Sequence, residues 1–498
     1  MKKTYSVPAV YQDLKSRKAA TDLQAPLRVS VPGSKSITNR ALLLATLANG
    51  KSTLTGVLFS DDSRHFLKCI QELGFETTVD EEAKVITVWG HGGTVPKAEA
   101  SQFVGSAGTA ARFLTAYLGI SHGVYHMDAS EQMRRRPMAP LLDSLKELGC
   151  EVLYESPDGA SAEGHFPFTL KSHGFLKDHI SVNIDSSSQF LSAILIASCL
   201  SERDFTIYIE GTHGRAYIDM TVRMMEQFGV QTMPLCHCTD GAGHSGVAKY
   251  SNDHNCITSD QGRNDNDGIT CDQGRSDNGY TDSALPVGYR TAAGQSYQAL
   301  DYQVEPDVSA ACYFYAMSPL LGIPVQVEHV HFDSLQGDVA FIRILEKMGC
   351  KAADLTGGIL VEPPTNRTFH GITADMSACS DQAITLAAIA PYADSPTTVT
   401  GIGHIRFQES DRITAIVTEL RRMGIRCEET ENSITIYPGQ PKPALIETYD
   451  DHRMAMGFSL TGLRSTGIVI DNPGCCKKTF EEYFDVLDGV IRKLSDGI

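Results

Sequence analysis

One local pattern recurs along this chain: an amphipathic helix that ends in an apolar residue and glycine, followed by a short alternating strand. The five clearest copies end at Gly74, Gly149, Gly229, Gly349 and Gly424. A weaker sixth copy ends at Gly489. Each glycine lies where a helix favours a left-handed C-cap, and a period of roughly seventy residues indicates repeated supersecondary units. The sequence therefore predicts six α/β units that nearly fill the chain.

A segment of different composition lengthens the third interval between these glycines. From Cys236 to Gln298, Asp, Asn, Gly, Ser and Gln predominate, and residues 257–263 are nearly duplicated as 269–275. Such polar, low-complexity sequence cannot bury enough apolar surface to fold. We therefore predict a largely disordered polar insertion over residues 236–298. Its Asp and Asn residues lack the spacing of a calcium-binding EF-hand loop.

The charge of the chain excludes several classes of partner. A formal net charge of −17 argues against non-specific binding to nucleic acid or to an anionic membrane. No apolar run is long enough to span a bilayer, and residues 1–23 lack the apolar core of a signal peptide. The 13 cysteines are scattered, several within apolar runs, which favours reduced thiols and a cytoplasmic location. The Cys236-His237-Cys238 and Cys475-Cys476 groups lack partners at zinc-site spacing, so we expect no metal.

The segment Ser34–Arg40 places two cations and three hydroxyl groups immediately before an apolar helical stretch. A Pro-Gly pair ends the preceding element, and Ser34 is predicted to be the helix N-cap. The free amides and positive dipole end of that helix then face an anion that Lys35 and Arg40 can also contact. A nucleotide-binding P-loop is excluded because it needs glycine directly before the lysine. We predict a phosphate or carboxylate site of another kind.

Further clusters along the chain combine small, hydroxyl-bearing and charged residues in the same way. They are Gly105–Arg112, Gln132–Pro137, Asp185–Phe190, Arg406–Arg412, Asp450–Met456 and Gly474–Phe480. Any one of these motifs is a weak signal. Together with Ser34–Arg40, and in this order, they closely resemble the motifs of the 5-enolpyruvylshikimate-3-phosphate synthase family of enolpyruvyl transferases. The resemblance covers nearly the whole chain outside the insertion.

The resemblance implies an α/β (α+β) fold in two domains, described as a two-domain inside-out α/β barrel. Each domain of that fold contains three βαβαββ units around a pseudo-threefold axis, which agrees with the six repeats. We place the N-terminal domain at residues 31–235 and the C-terminal domain at residues 1–30 plus 299–498. The insertion at 236–298 lies between them. The active site is expected in the cleft between the two domains.

The resemblance also implies an activity, that of a 3-phosphoshikimate 1-carboxyvinyltransferase. Such an enzyme transfers the enolpyruvyl group of phosphoenolpyruvate to the 5-hydroxyl of shikimate 3-phosphate through a tetrahedral intermediate and releases phosphate. The reaction belongs to the shikimate pathway of aromatic amino acid and chorismate biosynthesis. Both substrates are anionic, which suits basic residues concentrated in one cleft of an acidic protein. No cofactor, metal, nucleic acid or membrane partner is implied; a monomer and inhibition by glyphosate are expected.

Position by position, the resemblance implies a set of site residues. The phosphoenolpyruvate site is expected to contain Lys35, Gly108, Arg136, Gln189, Arg412, Arg453 and Lys478. The shikimate 3-phosphate site is expected to contain Lys35, Ser36, Arg40, Ser187, Ser188, Gln189, Tyr217, Asp381, His404 and Gln408. Thr109 and Arg112 are expected to line the site nearby. The catalytic residues are expected to be Asp381, Glu409, Lys35, Lys478 and His452.

The reaction explains why these residue types are needed. The 5-hydroxyl loses a proton while the C3 methylene gains one, so two carboxylates with separate roles are expected. Asp381 matches the carboxylate at the 5-hydroxyl, and Glu409 matches the acidic group near the methylene carbon. Lysines can protonate or neutralise the departing oxygens, and arginines hold accumulating charge. For His452, a catalytic role and a role in bracing Arg453 both remain open.

Three positions depart from the family pattern. Gly214 stands where many relatives have a serine that contacts shikimate 3-phosphate, Gln408 replaces a lysine, and His404 replaces an asparagine. These changes affect the expected binding of shikimate 3-phosphate but not the phosphoenolpyruvate site. Arg406 or Arg215 is a hypothetical compensating cation.

Two alternative functions compete with this interpretation. A related transferase acts on UDP-N-acetylglucosamine, but it uses a loop cysteine and lacks the S-K-S and D-H-R-M-A-M patterns present here. A catalytically silent anion-binding homologue is the other alternative. The presence of Lys35, Asp381 and Glu409 argues against it, whereas the altered Gln408 is the one feature in its favour.

Overall fold

The computed structural model describes residues 4–16, 25–154, 163–185, 187–211, 214–239, 245–250, 256–257, 275–276, 279–280 and 286–496, with side chains described outside 236–285. The helices in these ranges are α1 (Tyr11–Ser16), α2 (Lys35–Leu47), α3 (Asp61–Glu72), α4 (Gly108–Gly119), α5 (Glu131–Arg134), α6 (Ala139–Glu147), α7 (Gln189–Ala197), α8 (Arg215–Gln227), α9 (Val308–Tyr315), α10 (Met317–Leu321), α11 (Ala340–Lys347), α12 (Ala383–Ile389), α13 (Arg412–Arg422), α14 (His452–Arg464) and α15 (Tyr483–Asp496).

The strands alternate with these helices. Up to residue 239 they are β1 (Thr4–Ser6), β2 (Leu27–Val29), β3 (Asn49–Thr55), β4 (Thr77–Asp80), β5 (Val85–His91), β6 (Glu99–Phe103), β7 (His122–Asp128), β8 (Glu151–Tyr154), β9 (Phe168–His173), β10 (His179–Asn183), β11 (Phe205–Glu210) and β12 (Thr232–Thr239). After residue 239 they are β13 (Ser245–Tyr250), β14 (Cys256–Ile257), β15 (Arg275–Ser276), β16 (Gly279–Tyr280), β17 (Gly288–Thr291), β18 (Asp301–Gln303), β19 (Val325–Val327), β20 (Lys351–Leu355), β21 (Gly358–Glu362), β22 (Thr373–Asp375), β23 (Thr397–Thr400), β24 (Cys427–Glu429), β25 (Ile434–Ile436), β26 (Ala444–Ile446) and β27 (Ile468–Asp471).

Six sheets correspond to the six repeats. The sheet β6-β7-β9-β8 shows the pattern: β6 and β7 are parallel, whereas β9 pairs antiparallel with both β7 and β8. With α4 and α6 as the connections, this is a βαβαββ unit. The same order is found in β22-β23-β25-β24, in β10-β11-β17-β12 and in β2-β19-β21-β20. The repeat predicted from the glycines is therefore present in the sheet pairing.

Three units take a strand from a distant part of the chain. β18 pairs parallel with β3, β2 pairs parallel with β19, and β1 pairs antiparallel with β27. The chain consequently passes twice between its two halves, close to Gly33 and Pro306. These crossings lie side by side, because the Ser34 amide donates to the Glu305 carbonyl at 2.8 Å and the Asp307 amide donates to the Pro32 carbonyl at 2.8 Å.

The glycines of the repeat confirm five of the six predicted helix ends. The five glycines that end the clear copies have left-handed φ values between +76° and +108°, as predicted. The sixth prediction is wrong, because Gly489 lies inside α15. Within the described residues, which end with α15 at Asp496, no strand follows that helix; the strand that completes the sixth sheet, β1, comes from the N-terminal part of the chain. The helix therefore continues past Gly489 and does not end there.

Two hydrophobic cores organise the described residues. The first lobe packs around residues between Ile37 and Val304, joined by Leu335, and the second lobe packs around the other core residues within 7–29 and 308–494. α4 is buried along its whole length and packs against α2 and α7, while α12 and α9 pack against α14 in the second lobe. Helices buried on all sides are apolar all round. Among the described helices, none combines the length and apolarity that a membrane crossing requires.

The C-terminal end of the predicted insertion belongs to the first lobe, which corrects two predicted boundaries. β17 lies between β11 and β12 and pairs antiparallel with both. Tyr297 is buried and donates to the Ile196 carbonyl at 2.8 Å. β18 also packs in this lobe, so the second lobe begins after Val304 rather than at residue 299. The prediction rested on the average composition of residues 236–298, in which these few apolar residues do not stand out. Most of the remaining segment lies outside the described residues.

Candidate active site

A cavity lies between the two lobes and brings most of the predicted site residues together. From the first lobe it is lined by Lys35, Ser36, Gly108, Thr109, Arg136, Ser187, Ser188, Gln189 and Tyr217. From the second lobe it is lined by Asp381, His404, Gln408, Glu409, Arg412, His452 and Arg453. Cations from both halves of the sequence therefore meet around one space.

Five helices begin at this cavity. Lys35, Gly108, Gln189, Arg412 and His452 are the first residues of α2, α4, α7, α13 and α14, and each lines it. Helix N-termini carry free amides and partial positive charge, which favours bound anions. The predicted cap is present, since Ser34 accepts a hydrogen bond from the Ile37 amide at 3.5 Å. The local helix starts thus add to the positive field of the side chains.

Arg412 is the centre of the ion-pair network in the second lobe. Its side chain is 1% exposed and lies 2.9 Å from Asp381 Oδ1, 2.8 Å from Glu409 Oε2 and 2.8 Å from Asp451 Oδ2. Burial acts to lower the pKa of Arg412, but the three carboxylates outweigh it and raise that pKa above its usual value. Asp451 also caps α14 by accepting from the Arg453 amide at 3.0 Å. Arg412 is therefore fixed in position as a permanent cation.

Asp381 joins the two lobes. It accepts hydrogen bonds from Arg453 Nη2 at 2.7 Å and from the Tyr217 hydroxyl of the first lobe at 2.8 Å. Burial acts to raise the pKa of Asp381, but Arg453 and Arg412 overcome it and lower the pKa below its ordinary value. Asp381 is therefore a carboxylate at neutral pH, aimed into the cavity.

Glu409 and Lys478 form a second buried pair beside Arg412. Lys478 Nζ lies 3.1 Å from Glu409 Oε1, and both side chains are about nine-tenths buried. Burial acts to raise the pKa of Glu409, but Lys478, Arg412 and Arg136 together hold it well below the usual value. Lys478 itself does not line the cavity, and reaches it through Glu409. The two predicted carboxylates thus lie on opposite sides of Arg412 with different partners.

The first lobe supplies a compact basic wall. Lys35 Nζ lies 3.4 Å from Asp62 Oδ2, and the Lys35 amide donates to Asp307 Oδ2 of the second lobe at 3.4 Å. At the start of α4, a Cβ added to Gly108 would lie 2.8 Å from Arg112 Nη1 and 2.9 Å from Arg136 Nη1. Glycine therefore leaves the space that these guanidinium groups occupy.

Two predicted cations lie behind the cavity wall, and their predicted roles need correction. Arg40 is 1% exposed; it donates to Thr221 Oγ1 at 2.8 Å and to the carbonyls of Ser36 and Tyr217 at 3.1 and 3.2 Å. Burial lowers the pKa of Arg40 to about 10. Arg112 is likewise buried, and its Nη1 donates to Gln189 Oε1 at 3.2 Å. Both arginines support residues of the wall without lining it.

The three departures from the family pattern all line the cavity. Gly214 has φ +66°, and a Cβ there would lie 2.3 Å from Ser188 Oγ, so a side chain at this position would be strained and would displace the Ser188 hydroxyl. His404 Nε2 lies 2.8 Å from Ser380 Oγ. Gln408 lies between His404 and Glu409 in sequence and presents an uncharged amide. This wall of the cavity therefore has few fixed positive charges.

The hypothetical compensating cations have other partners. Arg406 lies 3.0 Å from Asp411 Oδ2 and 3.2 Å from Glu429 Oε2. Arg215 donates to the Pro286 carbonyl at 2.8 Å and to the Gly211 carbonyl at 3.2 Å. Neither arginine lines the cavity, so the geometry gives no support to compensation by them.

His452 is buried in the cavity wall at the N-terminus of α14. Its ring is 1% exposed, and neither ring nitrogen has a hydrogen-bond partner among the described residues. Burial, with the nearby charges of Lys35 and Arg453, holds the pKa of His452 well below its usual value. The imidazole is therefore neutral, with two unused polar atoms next to the cavity.

Sequence reasoning missed several acidic residues of this site. Asp62 pairs with Lys35, Asp451 pairs with Arg412, and Asp307 accepts the Lys35 amide. The signal for Asp451 was available, because it directly precedes His452 within a motif already singled out. Asp62 and Asp307 stand outside such motifs, and only the folded arrangement identifies them.

Comparison with known proteins assigns the chain to a family. A family model described as EPSP synthase (3-phosphoshikimate 1-carboxyvinyltransferase) matches residues 19–234 and 288–487, and passes over the intervening polar segment. Curated proteins named 3-phosphoshikimate 1-carboxyvinyltransferase from Trichormus variabilis and Nostoc punctiforme are each 40% identical to this chain over 92% of its length and 94% of their own. The protein of that name from Sulfurovum sp. is 36% identical over 93% of this chain and 96% of its own length.

A solved structure of EPSP synthase from Acinetobacter baumannii has a TM-score of 0.70 to this chain, with 22% identity and 98% of each chain covered. At that identity the likeness supports the mixed α/β fold alone. The family assignment rests on the family model and on the curated relatives. The chain belongs to the EPSP synthase (3-phosphoshikimate 1-carboxyvinyltransferase) family.

Proposed function

We infer that this protein transfers the enolpyruvyl group of phosphoenolpyruvate to the 5-hydroxyl of shikimate 3-phosphate and releases phosphate. The observation that carries the inference is the convergence, in a chain of this family, of cations from both lobes with two separately paired carboxylates around one cavity. The curated relatives named above are named for this reaction. We place the activity in the shikimate pathway on that basis.

We propose that phosphoenolpyruvate occupies the strongly basic part of the cavity. Its phosphate and carboxylate would contact Lys35, Gly108, Arg136, Gln189, Arg412 and Arg453, while Lys478 would act on it through Glu409. The support is that α2, α4, α7 and α13 begin among these residues and that Arg412 and Arg453 are buried cations. Charge-assisted hydrogen bonds of this type contribute roughly 1.5–3 kcal/mol each. The basic part of the cavity thus suits a small substrate with two anionic groups.

We propose that shikimate 3-phosphate binds beside it, against the hydroxyl-rich wall. The residues in contact would be Lys35, Ser36, Ser187, Ser188, Gln189, Tyr217, Asp381, His404 and Gln408, with Thr109 nearby. Arg40 has a supporting role in this proposal, since it holds the carbonyls of Ser36 and Tyr217. Asp381 then faces the hydroxyl that must lose its proton.

The proposed chemistry follows from the charge states of the carboxylates. The 5-hydroxyl oxygen bonds to C2 of phosphoenolpyruvate while its proton passes to Asp381 and another proton reaches C3, giving the tetrahedral intermediate. Because the pKa of Glu409 is held low, Glu409 rests as a carboxylate; the proton for C3 comes from the Lys478 ammonium and passes through Glu409, which returns it to Lys478 after the second step. In the second step C3 loses a proton to Glu409 as the bond from C2 to the phosphate oxygen breaks. Lys35 neutralises the departing phosphate.

We further propose that each lobe is a three-unit domain of an inside-out α/β barrel with a pseudo-threefold axis. The buried helices at each lobe's centre and the outer sheets support this arrangement. The domains then comprise residues 31–304 and residues 1–30 plus 305–498, with the polar insertion inside the first. We propose a monomer that needs no cofactor, since both substrates can be held by side chains of one chain.

One assay tests the activity. The purified protein is mixed with phosphoenolpyruvate and shikimate 3-phosphate, and phosphate release is measured together with the enolpyruvyl product by mass spectrometry. Phosphate and product are expected in equal amounts, and UDP-N-acetylglucosamine in place of shikimate 3-phosphate is expected to give neither. Asp381→Asn and Glu409→Gln are each expected to lower kcat at least a hundredfold. The proposal is contradicted if product forms only with UDP-N-acetylglucosamine as the acceptor, or if no product forms with either acceptor.

A further inference from the structure

A buried carboxyl group lies one step behind the ion pairs of the cavity. Asp338, in the turn before α11, is 6% exposed, and its Oδ2 accepts the hydroxyl hydrogen of Ser309 on α9. Ser309 Oγ in turn accepts from Arg453 Nη2 at 3.5 Å, and the same Nη2 donates to Asp381 Oδ2 at 2.7 Å. A continuous polar chain thus runs from Asp338 to Asp381.

Asp338 and Ser309 do not line the cavity between the lobes. They line a smaller adjoining space, which shares Lys35, Ser36, Tyr217, His452 and Arg453 with the main cavity. Asp338 and Ser309 therefore stand behind the residues that face the main cavity. Any effect of Asp338 on the reaction is therefore exerted through its interactions with Arg453 and Asp381.

Several charged or titratable groups face Asp338 from the elements packed against it. From the second lobe these are Arg453 on α14, Cys379 and Asp381 before α12, Asp307 before α9 and Cys312 on α9. From the first lobe it is Tyr217 on α8. Burial and the charge of Asp381 raise the pKa of Asp338 to about 6, while Arg453 opposes them. Arg453 therefore stands between two carboxyl groups, of which one faces the substrate and the other does not.

The interaction between the two carboxyl groups is reciprocal. An ionised Asp338 repels charge on Asp381 and offsets part of the positive field of Arg453. The proton affinity of Asp381 is consequently higher when Asp338 is ionised than when it is neutral. A higher proton affinity makes Asp381 the stronger base.

We propose that Asp338 is a positioning residue of the reaction: through Ser309 it holds the Arg453 guanidinium, and its charge keeps Asp381 basic enough to accept the proton of the substrate hydroxyl. The proposal rests on the proposed function, because it takes Asp381 as the base for that hydroxyl. To the residues of the proposed function, the inference adds an acidic residue outside the cavity, Asp338, whose ionisation sets the rate. The value of kcat should therefore rise as Asp338 ionises, with an inflection near pH 6.

The test compares three variants with the wild type over pH 5–9. Asp338→Asn keeps the shape of the side chain and removes its charge; we expect kcat at pH 8 to fall by up to about tenfold, which is the limit for a base weakened by about one pKa unit. The inflection near pH 6 should disappear, while the KM for phosphoenolpyruvate stays within about twofold. Ser309→Ala frees Arg453 and should raise that KM. Asp333→Asn, at an exposed carboxyl in the same loop, should behave as the wild type.

The outcomes separate this inference from the proposed function. An inactive wild type overturns the proposed function, and urea unfolding then still tests whether Asp338 ionises near pH 6, as a pH-dependent midpoint that Asp338→Asn lacks. An active wild type whose pH profile is shared by Asp338→Asn overturns the inference. A uniform loss of activity in Asp338→Asn at every pH, with the inflection retained, indicates a merely structural residue and overturns it as well.

Discussion

At the scale of single residues, the absence of a side chain at Gly108 determines how the arginines of the first lobe pack beside the cavity. Gly108 begins α4 beneath the guanidinium groups of Arg112 and Arg136. A methyl group there approaches the far ends of two flexible side chains, so the fold can tolerate it while the guanidinium groups move. Because small displacements of substrate-holding groups are costly, the effect belongs to binding rather than to stability.

We therefore predict that Gly108→Ala raises the KM for phosphoenolpyruvate about tenfold. Glyphosate, expected to inhibit the wild type at low phosphoenolpyruvate, should inhibit the variant more weakly. Steady-state kinetics at several glyphosate concentrations measure both effects. Gly489→Ala is the matched control, because it adds the same methyl group inside α15 with nothing within 4 Å. Equal KM values for Gly108→Ala and the wild type contradict the prediction.

The uncharged Gln408 leads to a second prediction at this scale. Neither Arg406 nor Arg215 lines the cavity, so neither supplies the positive charge that Gln408 lacks. Gln408→Lys should lower the KM for shikimate 3-phosphate about tenfold, because a charge-assisted hydrogen bond contributes roughly 1.5–3 kcal/mol. Gln408→Met, of similar length without charge, is the control. An unchanged KM in Gln408→Lys shows that the charge is already supplied.

Individual residues of the site were predictable to different degrees. Lys35, Arg412 and Glu409 stand in motifs, and the structure places each at the cavity or in its ion pairs. Arg40 and Arg112 also stand in motifs, yet they lie behind the wall. A motif fixes which residues are close in sequence, but the direction of a long side chain depends on neighbours such as Thr221 that come from distant helices.

At the scale of elements, the helix starts around the cavity create a strongly positive environment. His452 is the first residue of α14 and faces Lys35, Arg453 and Lys478. Protonation of the ring is opposed by burial and by these charges, so its pKa is held well below the ordinary value near 6.5. The unfolded chain takes up a proton at this histidine as the pH falls through about 6.5, whereas the folded chain does not.

The sign of the stability effect follows from that difference. The contribution of neutral His452 is fully present above the unfolded pKa and is lost as the pH falls, by up to about 1.4 kcal/mol per unit. We predict that the stability difference between the wild type and His452→Gln shrinks by about 1 kcal/mol between pH 6.5 and 5.5. Urea unfolding measures it. The control is Met454→Leu, on the same helix, which should differ from the wild type in stability by the same amount at both pH values. If the stability difference between His452→Gln and the wild type is also the same at pH 6.5 and pH 5.5, the prediction is contradicted.

The repeat was recognisable from sequence because helix ends carry local signals. Five C-cap glycines marked the ends of α3, α6, α8, α11 and α13. Gly489 misled because the same apolar-glycine pair also occurs inside α15. The strands β1, β2 and β18 could not be assigned to their sheets, since each completes a unit whose other strands lie far away in the chain. Strand partners are tertiary information that a local pattern does not contain.

At the scale of the whole molecule, the two lobes are joined by paired crossing segments and by contacts at the cavity. Gly33 and Pro306 pair as the chain passes between the lobes, and Tyr217 donates to Asp381 across the cleft. The surface is acidic overall, while buried cations gather where the lobes meet. Anionic substrates are then attracted to one place on the molecule by local field rather than by net charge.

The polar segment enters this architecture as the loop of a hairpin. β12 and β17 pair antiparallel, with Leu235 opposite Gly288, and the Val287 amide donates to the Leu235 carbonyl at 2.7 Å. The two chain ends that flank the segment are therefore already adjacent. Replacing residues 238–285 with a four-residue Gly-Ser linker should close the same hairpin, because a short loop carries less closure entropy than a long one.

We predict that this replacement leaves kcat and both KM values within about twofold of the wild type, since none of the cavity residues is removed. Its thermal unfolding midpoint should equal or exceed that of the wild type. Deletion of residues 236–298 is the informative contrast, because it removes β17 from between β11 and β12 together with the buried Tyr297, and it should abolish folding of the first lobe. If the shorter replacement also fails to fold, or folds but loses activity, the segment contributes to the lobe or to the reaction in a way that the hairpin geometry does not explain.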